Sequence, residues 1–123
     1  MASSYCPLMQ SIRKIKRFAD THLCQANVED TLRELHSEGI TAVGCAANVG
    51  KRAHLEAFVS LVLREFTRVD ILVSNAAVNP AAGDILDMPE SAINKILDIN
   101  IKAAIVLAQL VRPHLPQVGA RHD

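Results

Sequence analysis

Ser74-Asn75-Ala76-Ala77 directly follows the β-branched apolar run Val69-Asp70-Ile71-Leu72-Val73, and a second Asn, Asn100, closes the string Leu97-Asp98-Ile99-Asn100. An Asn amide both donates and accepts hydrogen bonds, and alanines let a ligand approach the backbone. Asn75, Ala76 and Ala77 therefore suit contacts to an adenine ring or ribose hydroxyls. Asn48 and Val49, at the end of the apolar stretch Ile40 to Val49, offer the same chemistry. Asn after a strand also serves simply as a turn residue, because it tolerates left-handed backbone. A mid-helix Asn such as Asn100 can equally face solvent or mark a kink. Spacing alone leaves binding and structural readings open at each position.

The elements that must position these residues follow from periodicity. Asn27 as cap, with Val28, Leu32 and Leu35 as an apolar stripe and Gly39 at the stop, predicts a helix over 28–38. Residues 40–48 read as a short buried strand. From Lys51 to Thr67 the apolar positions Leu55, Phe58, Val59, Val62, Leu63 and Phe66 repeat at helical spacing. Val69 to Ser74 reads as a strand covered on both faces. Asn79-Pro80 and Gly83 then mark a loop, and a long helix runs from Pro89 to Arg112. The alternation α-β-α-β-α predicts an α/β fold with a parallel, doubly wound, Rossmann-like sheet, in which ligands bind beyond the carboxyl ends of the strands.

Residues 1–24 differ in composition. Arg13, Lys14, Lys16 and Arg17 precede the first acidic residue, Asp20, and Ile12, Ile15 and Ala19 have helical spacing. They read as a separate leader, either a solvated N-terminus or a basic amphipathic segment of the mitochondrial targeting kind. The expected localisation is intracellular, mitochondrial or cytoplasmic. Residues 25–115 form the predicted domain, and 116–123 an irregular tail.

Composition removes several classes of function. Thirteen basic residues balance thirteen acidic ones, so the chain builds no basic surface for nucleic acid. The three cysteines, Cys6, Cys24 and Cys45, are widely spaced and odd in number, which fits reduced thiols. His22, His36, His54, His114 and His122 show no ligand spacing, so no metal site is expected. No apolar run reaches the roughly 20 residues of a membrane span.

Val-Asp-Ile-Leu-Val-Ser-Asn-Ala-Ala resembles the strand and Asn-Asn-Ala-Gly turn of the short-chain dehydrogenase/reductase family, with Ser74 in place of its first Asn and Ala77 in place of its Gly. The run Ser74 to Pro80 is similar to that of the family's NADPH-dependent carbonyl and retinal reductases. The resemblance covers about residues 25–115. It implies that Asn48, Val49, Asn75, Ala76 and Ala77 contact the cofactor, NADP(H). Asn48 stands where the family usually has Asp. Asn100, within Leu97-Asp98-Ile99-Asn100-Ile101-Lys102-Ala103, matches the helix Asn of the family's catalytic tetrad. There its backbone carbonyl holds a water linked to an active-site Lys. The implied chemistry is reversible hydride transfer between nicotinamide and a small carbonyl compound.

The departures are equally specific. The five glycines, at 39, 44, 50, 83 and 119, form no Gly-rich phosphate turn, and Tyr5 has no Lys four residues on. In the resembled sheet the first two strands lie between the two strands foreseen here. The reading is a truncated oxidoreductase, catalytically incomplete on its own. An alternative is a non-catalytic module that docks on a full-length subunit of the family through the helix 90–112.

Overall fold

Arg17–His22 forms a strand, β1, at the edge of a two-stranded parallel sheet. A computed structural model describes residues 17–81 and 83–116. β1 pairs with β2, Thr41–Ala46, in the register Arg17 with Thr41 through His22 with Ala46. The Thr21 hydroxyl donates to Cys45 O at 2.9 Å, and Ala47 N–H donates to His22 O at 2.9 Å. β1 thus falls within the segment 1–24 that was expected to be a separate leader, and it pairs with a strand of the segment 25–115. Its neighbour β2 supplies the hydrogen-bonding partners that a half-polar strand cannot announce by composition. Ala19, whose spacing from Ile12 and Ile15 left a basic helix open, is a strand residue, while Ile12 and Ile15 lie outside the described residues.

Helix α1, Gln25–Ser37, crosses from β1 to β2. It starts three residues before the expected position, and Cys24 rather than Asn27 is its N-cap. The stop is as expected: Gly39 at φ +77° donates to His36 O and Ile40 N–H donates to Leu35 O, each at 3.0 Å. Helix α2, Arg52–Phe66, buries Leu55, Phe58, Val59, Val62 and Phe66.

Strand alternation puts the two helices on opposite faces of the sheet. A Cβ built on Gly44 would meet Asp20 O at 2.6 Å and Val28 Cγ1 of α1 at 2.8 Å. Val43 and Cys45, one residue to either side, pack instead against Phe58, Val62 and Phe66 of α2. A period of two thus divides β2 between α1 and α2, the layering of a doubly wound fold.

Val69 to Ser74 does not form the expected strand. Residues 69–81 have no ladder, since β1 and β2 pair with each other and a third segment needs a neighbour about 4.8 Å away. Packing holds it in place. Val69 and Leu72 lie against Leu55, Val59, Leu107 and Val111, and Val69 N–H donates to His114 O at 3.2 Å. Ile71 and Val73 are exposed, so the segment keeps a strand's alternation without its hydrogen bonds.

The expected helix 90–112 is three pieces on one path. These are α3, Glu90–Ile96, a π-helical segment over Leu97–Lys102, and α4, Ala103–Val111, followed by a 3₁₀ turn over Arg112–His114. No helix among the described residues is long and apolar enough to cross a membrane.

Two stability outcomes follow. Leu55 is 1% exposed, so Leu55→Ala should cost about 2–5 kcal/mol in urea unfolding. Ile105→Ala, at an exposed site, should stay within about 0.5 kcal/mol. Desolvation by burial raises the Asp20 carboxyl above its ordinary 3.8, against the opposing pull of His22 and the Thr21 backbone hydrogen bond. Folded Asp20 then holds its proton more tightly than the unfolded chain does. Its contribution is fully present below pH 3.8 and is lost as pH rises through the raised folded value. Asp20→Asn should therefore be more stable than wild type at neutral pH, with the gap closing on acidification when urea midpoints are compared.

Candidate functional site

Asn48 ends the strand-to-helix turn after β2, and three hydrogen bonds fix it. Its side-chain Oδ1 accepts from Gly50 N–H at 2.9 Å, its own N–H donates to His54 Nδ1 at 3.1 Å, and its carbonyl accepts from Lys51 N–H at 2.9 Å. His54, on the first turn of α2, must be the Nε2–H tautomer to accept at Nδ1. A Cβ on Gly50 would meet Ile99 Cδ1 at 2.7 Å. Gly50 is thus the point where the π-helical segment presses on the Asn48 turn.

Asn100 lies one residue beyond Ile99 and reaches a different loop. Its Oδ1 accepts from Val78 N–H at 2.8 Å, and its Nδ2 donates to Val78 O at 3.0 Å. A single amide satisfies both backbone groups of a residue that no ladder serves. The helix opens where this occurs: Ala103 N–H donates to Asp98 O, an i to i+5 bond of the wider π turn. Asp98 and Lys102, an exposed ion pair at 3.1 Å, edge the same turn. Together with Val49, Gly50, Arg52, Leu55, Ala103 and Val106 they line a shallow cleft of about 90 Å³.

Ile99 and Asn100 thus connect the two loops that carry the expected contact residues. Asn48 and Val49 are half-buried in one, and Asn75, Ala76 and Ala77 are exposed in the stretch leading to Val78 in the other. Sequence reasoning missed the end of β1. His22 Nδ1 accepts from Cys24 N–H at 3.3 Å and lies 3.2 Å from Asn27 Nδ2, and Gln25 Oε1 accepts from Ala46 N–H at 3.2 Å. A signal was available, since a helix followed directly by a parallel strand requires a strand before it.

Residues 13–121 match the family model for short chain dehydrogenase. The chain belongs to the short-chain dehydrogenase family. It is 40% identical over 95 residues to dehydrogenase/reductase SDR family member 4 of Sus scrofa, covering 77% of this chain and 34% of that protein. It is 37% identical over 91 residues to the short-chain dehydrogenase/reductase SDRA of Arabidopsis thaliana, covering 74% of this chain and 36% of that one. The chain therefore spans about a third of the length of these relatives. Among solved structures, a metagenomic short-chain oxidoreductase in complex with NADP superposes with a TM-score of 0.74 at 26% identity, covering 80% of this chain and 44% of that one. A 3-ketoacyl-ACP reductase from Sinorhizobium meliloti, 20% identical, gives 0.75 over 80% of this chain and 38% of that one, a likeness of fold. The metagenomic relative holds NADP, a nicotinamide dinucleotide.

For such a dinucleotide the residues present would supply only part of a donor set. The neutral amides and small residues at Asn48 and Asn75 to Ala77 suit an adenine or a ribose. The pyrophosphate does not fit. Gly44 and Gly50 are consumed by contacts with Val28 and Ile99, and no described glycine opens a cradle of backbone N–H groups at a helix start.

Asn100→Ala should release the loop it holds. Each of its two hydrogen bonds is worth about 1 kcal/mol net, so the Val78 amide should exchange about tenfold faster or more in hydrogen-exchange NMR. The amides of Leu107 and Val111 should keep their protection, and an unchanged Val78 rate would refute the clasp.

Proposed function

We propose that these 123 residues are the cofactor-side portion of a carbonyl-reducing short-chain oxidoreductase and are catalytically incomplete by themselves. Asn100 carries this reading. It occupies the position of the family's tetrad Asn, and it sits in a π-helical turn of the kind that frees backbone carbonyls at functional sites. Asn48, Val49, Asn75, Ala76 and Ala77 are its cofactor contacts, with NADP(H) the cofactor of the complete enzymes that the chain resembles. The sequence holds no Tyr-x-x-x-Lys pair to protonate a carbonyl oxygen. Small ketones, aldehydes and retinal-like compounds are the substrates of the complete enzyme. A purified chain should show no NADPH oxidation with such a carbonyl compound, while calorimetry should detect adenine-nucleotide binding. Turnover at the rate of a full-length relative would overturn the incomplete-enzyme reading.

One observation favours a second reading, docking on a full-length subunit. Ile93, Leu97, Ile101 and Ile105 recur every four residues along α3, the π segment and α4, and all are exposed. A row of four large apolar side chains on one helical path is a surface suited to burial against another helix. Mixing the chain with a full-length family member should then change oligomer size in light scattering, and Ile101→Lys should abolish the change.

A further inference from the structure

The carboxyl end of β1, His22-Leu23-Cys24, carries neither a carboxylate nor an arginine. In the doubly wound order 3-2-1-4-5-6, strands 2 and 3 lie side by side and strand 4 touches neither. Here β1 and β2 pair while residues 69–81 pair with neither, so β1 takes the place of strand 2. At the end of that strand a carboxylate receives the ribose 2′-hydroxyl, or an arginine balances a 2′-phosphate. This chain has His22, Leu23 and Cys24 there, and Leu23 is 70% exposed.

The surrounding groups do not make up the deficit. His22 accepts the Cys24 N–H at Nδ1, so the ring nitrogen left for a ligand is Nε2. Arg17 lies at the opposite end of the strand, its guanidinium 6.0 Å from the Phe66 ring centroid. Arg33 is committed to Asp30 at 2.8 Å. Asp20, two residues before that end, is half-buried and adds no positive charge.

We infer that this strand end does not select a 2′-phosphate: it meets an adenosine ribose through neutral hydrogen bonds and treats phosphorylated and unphosphorylated ribose alike. The inference rests on the dinucleotide-binding reading above and departs from the NADP(H) preference of the complete enzymes. Position 23 is then the specificity position, and an arginine there would supply the missing charge.

Titration of the 123-residue chain with 5′-AMP and with 2′,5′-ADP, followed by the amide shifts of His22 to Asn27 and of Asn48, tests this. The two dissociation constants should agree within about threefold, and Leu23→Arg should tighten 2′,5′-ADP alone by about tenfold, the worth of one charge-assisted hydrogen bond. A wild-type chain that binds 2′,5′-ADP tenfold tighter overturns the inference and leaves the dinucleotide reading standing. So does a folded Leu23→Arg chain with no selective gain. Absence of shifts with either probe overturns both.

Discussion

The Asn100 amide on Val78 is the constraint on which the candidate site depends. Residues 69–81 have the apolar alternation of a strand and none of the ladder, so their position rests on a few local anchors. At the start Val69 is held by His114 O and by the side chains of Leu55, Val59, Leu107 and Val111. At the far end, among the described residues, the two bonds from Asn100 to Val78 do comparable work. Asn75, Ala76 and Ala77 lie between these anchors. An amide carries its donor and its acceptor on separate atoms, so it pairs with both the N–H and the C=O of a single residue, as a neighbouring strand would. Asp could accept but not donate, and Leu could do neither.

The π turn explains how one helix serves two loops. In a regular α-helix consecutive side chains are splayed by about 100° and their targets lie far apart. Within the wider turn over Leu97–Lys102, Ile99 meets Gly50 while Asn100 meets Val78. Gly50 completes the arrangement, since a Cβ there would push aside the Ile99 δ-methyl that rests on it. The apolar face of α4 still packs on α2 through Leu107 and Val111, so the turn costs little core.

Legibility in the sequence tracked how local each element's determinants are. α2 was readable almost to the residue, because Leu55, Phe58, Val59, Val62 and Phe66 face one core and repeat at the helical period. The end of α1 was readable because Gly39 adopts the left-handed conformation that its residue type favours. β1 was not, since Arg17, Asp20, Thr21 and His22 are polar and only pairing with β2 makes them a strand. The run Val69 to Ser74 failed in the opposite direction: its residues prefer strand, but strand is a property of a neighbour as well as of a chain. Asn48 and Asn100 could be located from sequence; that one grips Gly50 and the other Val78 needed the folded backbone.

The ends of β1 and β2 share a device with a chemical consequence. In each, a side-chain acceptor two residues back captures a turn N–H: His22 Nδ1 takes Cys24 N–H, and Asn48 Oδ1 takes Gly50 N–H. His54 repeats the pattern by accepting the Asn48 N–H at Nδ1. The turns are thereby stiffened by neutral acceptors that are used up internally. What these side chains retain are donors, the Nε2–H of both imidazoles and the Asn48 amide hydrogens. A rim of neutral donors suits ligand atoms with lone pairs and no full charge, such as ring nitrogens and hydroxyl oxygens. An anionic group can accept from the same donors but gains no ion pair from them. The same choice that makes the turns rigid without salt bridges therefore fixes the polarity of what they can recognise.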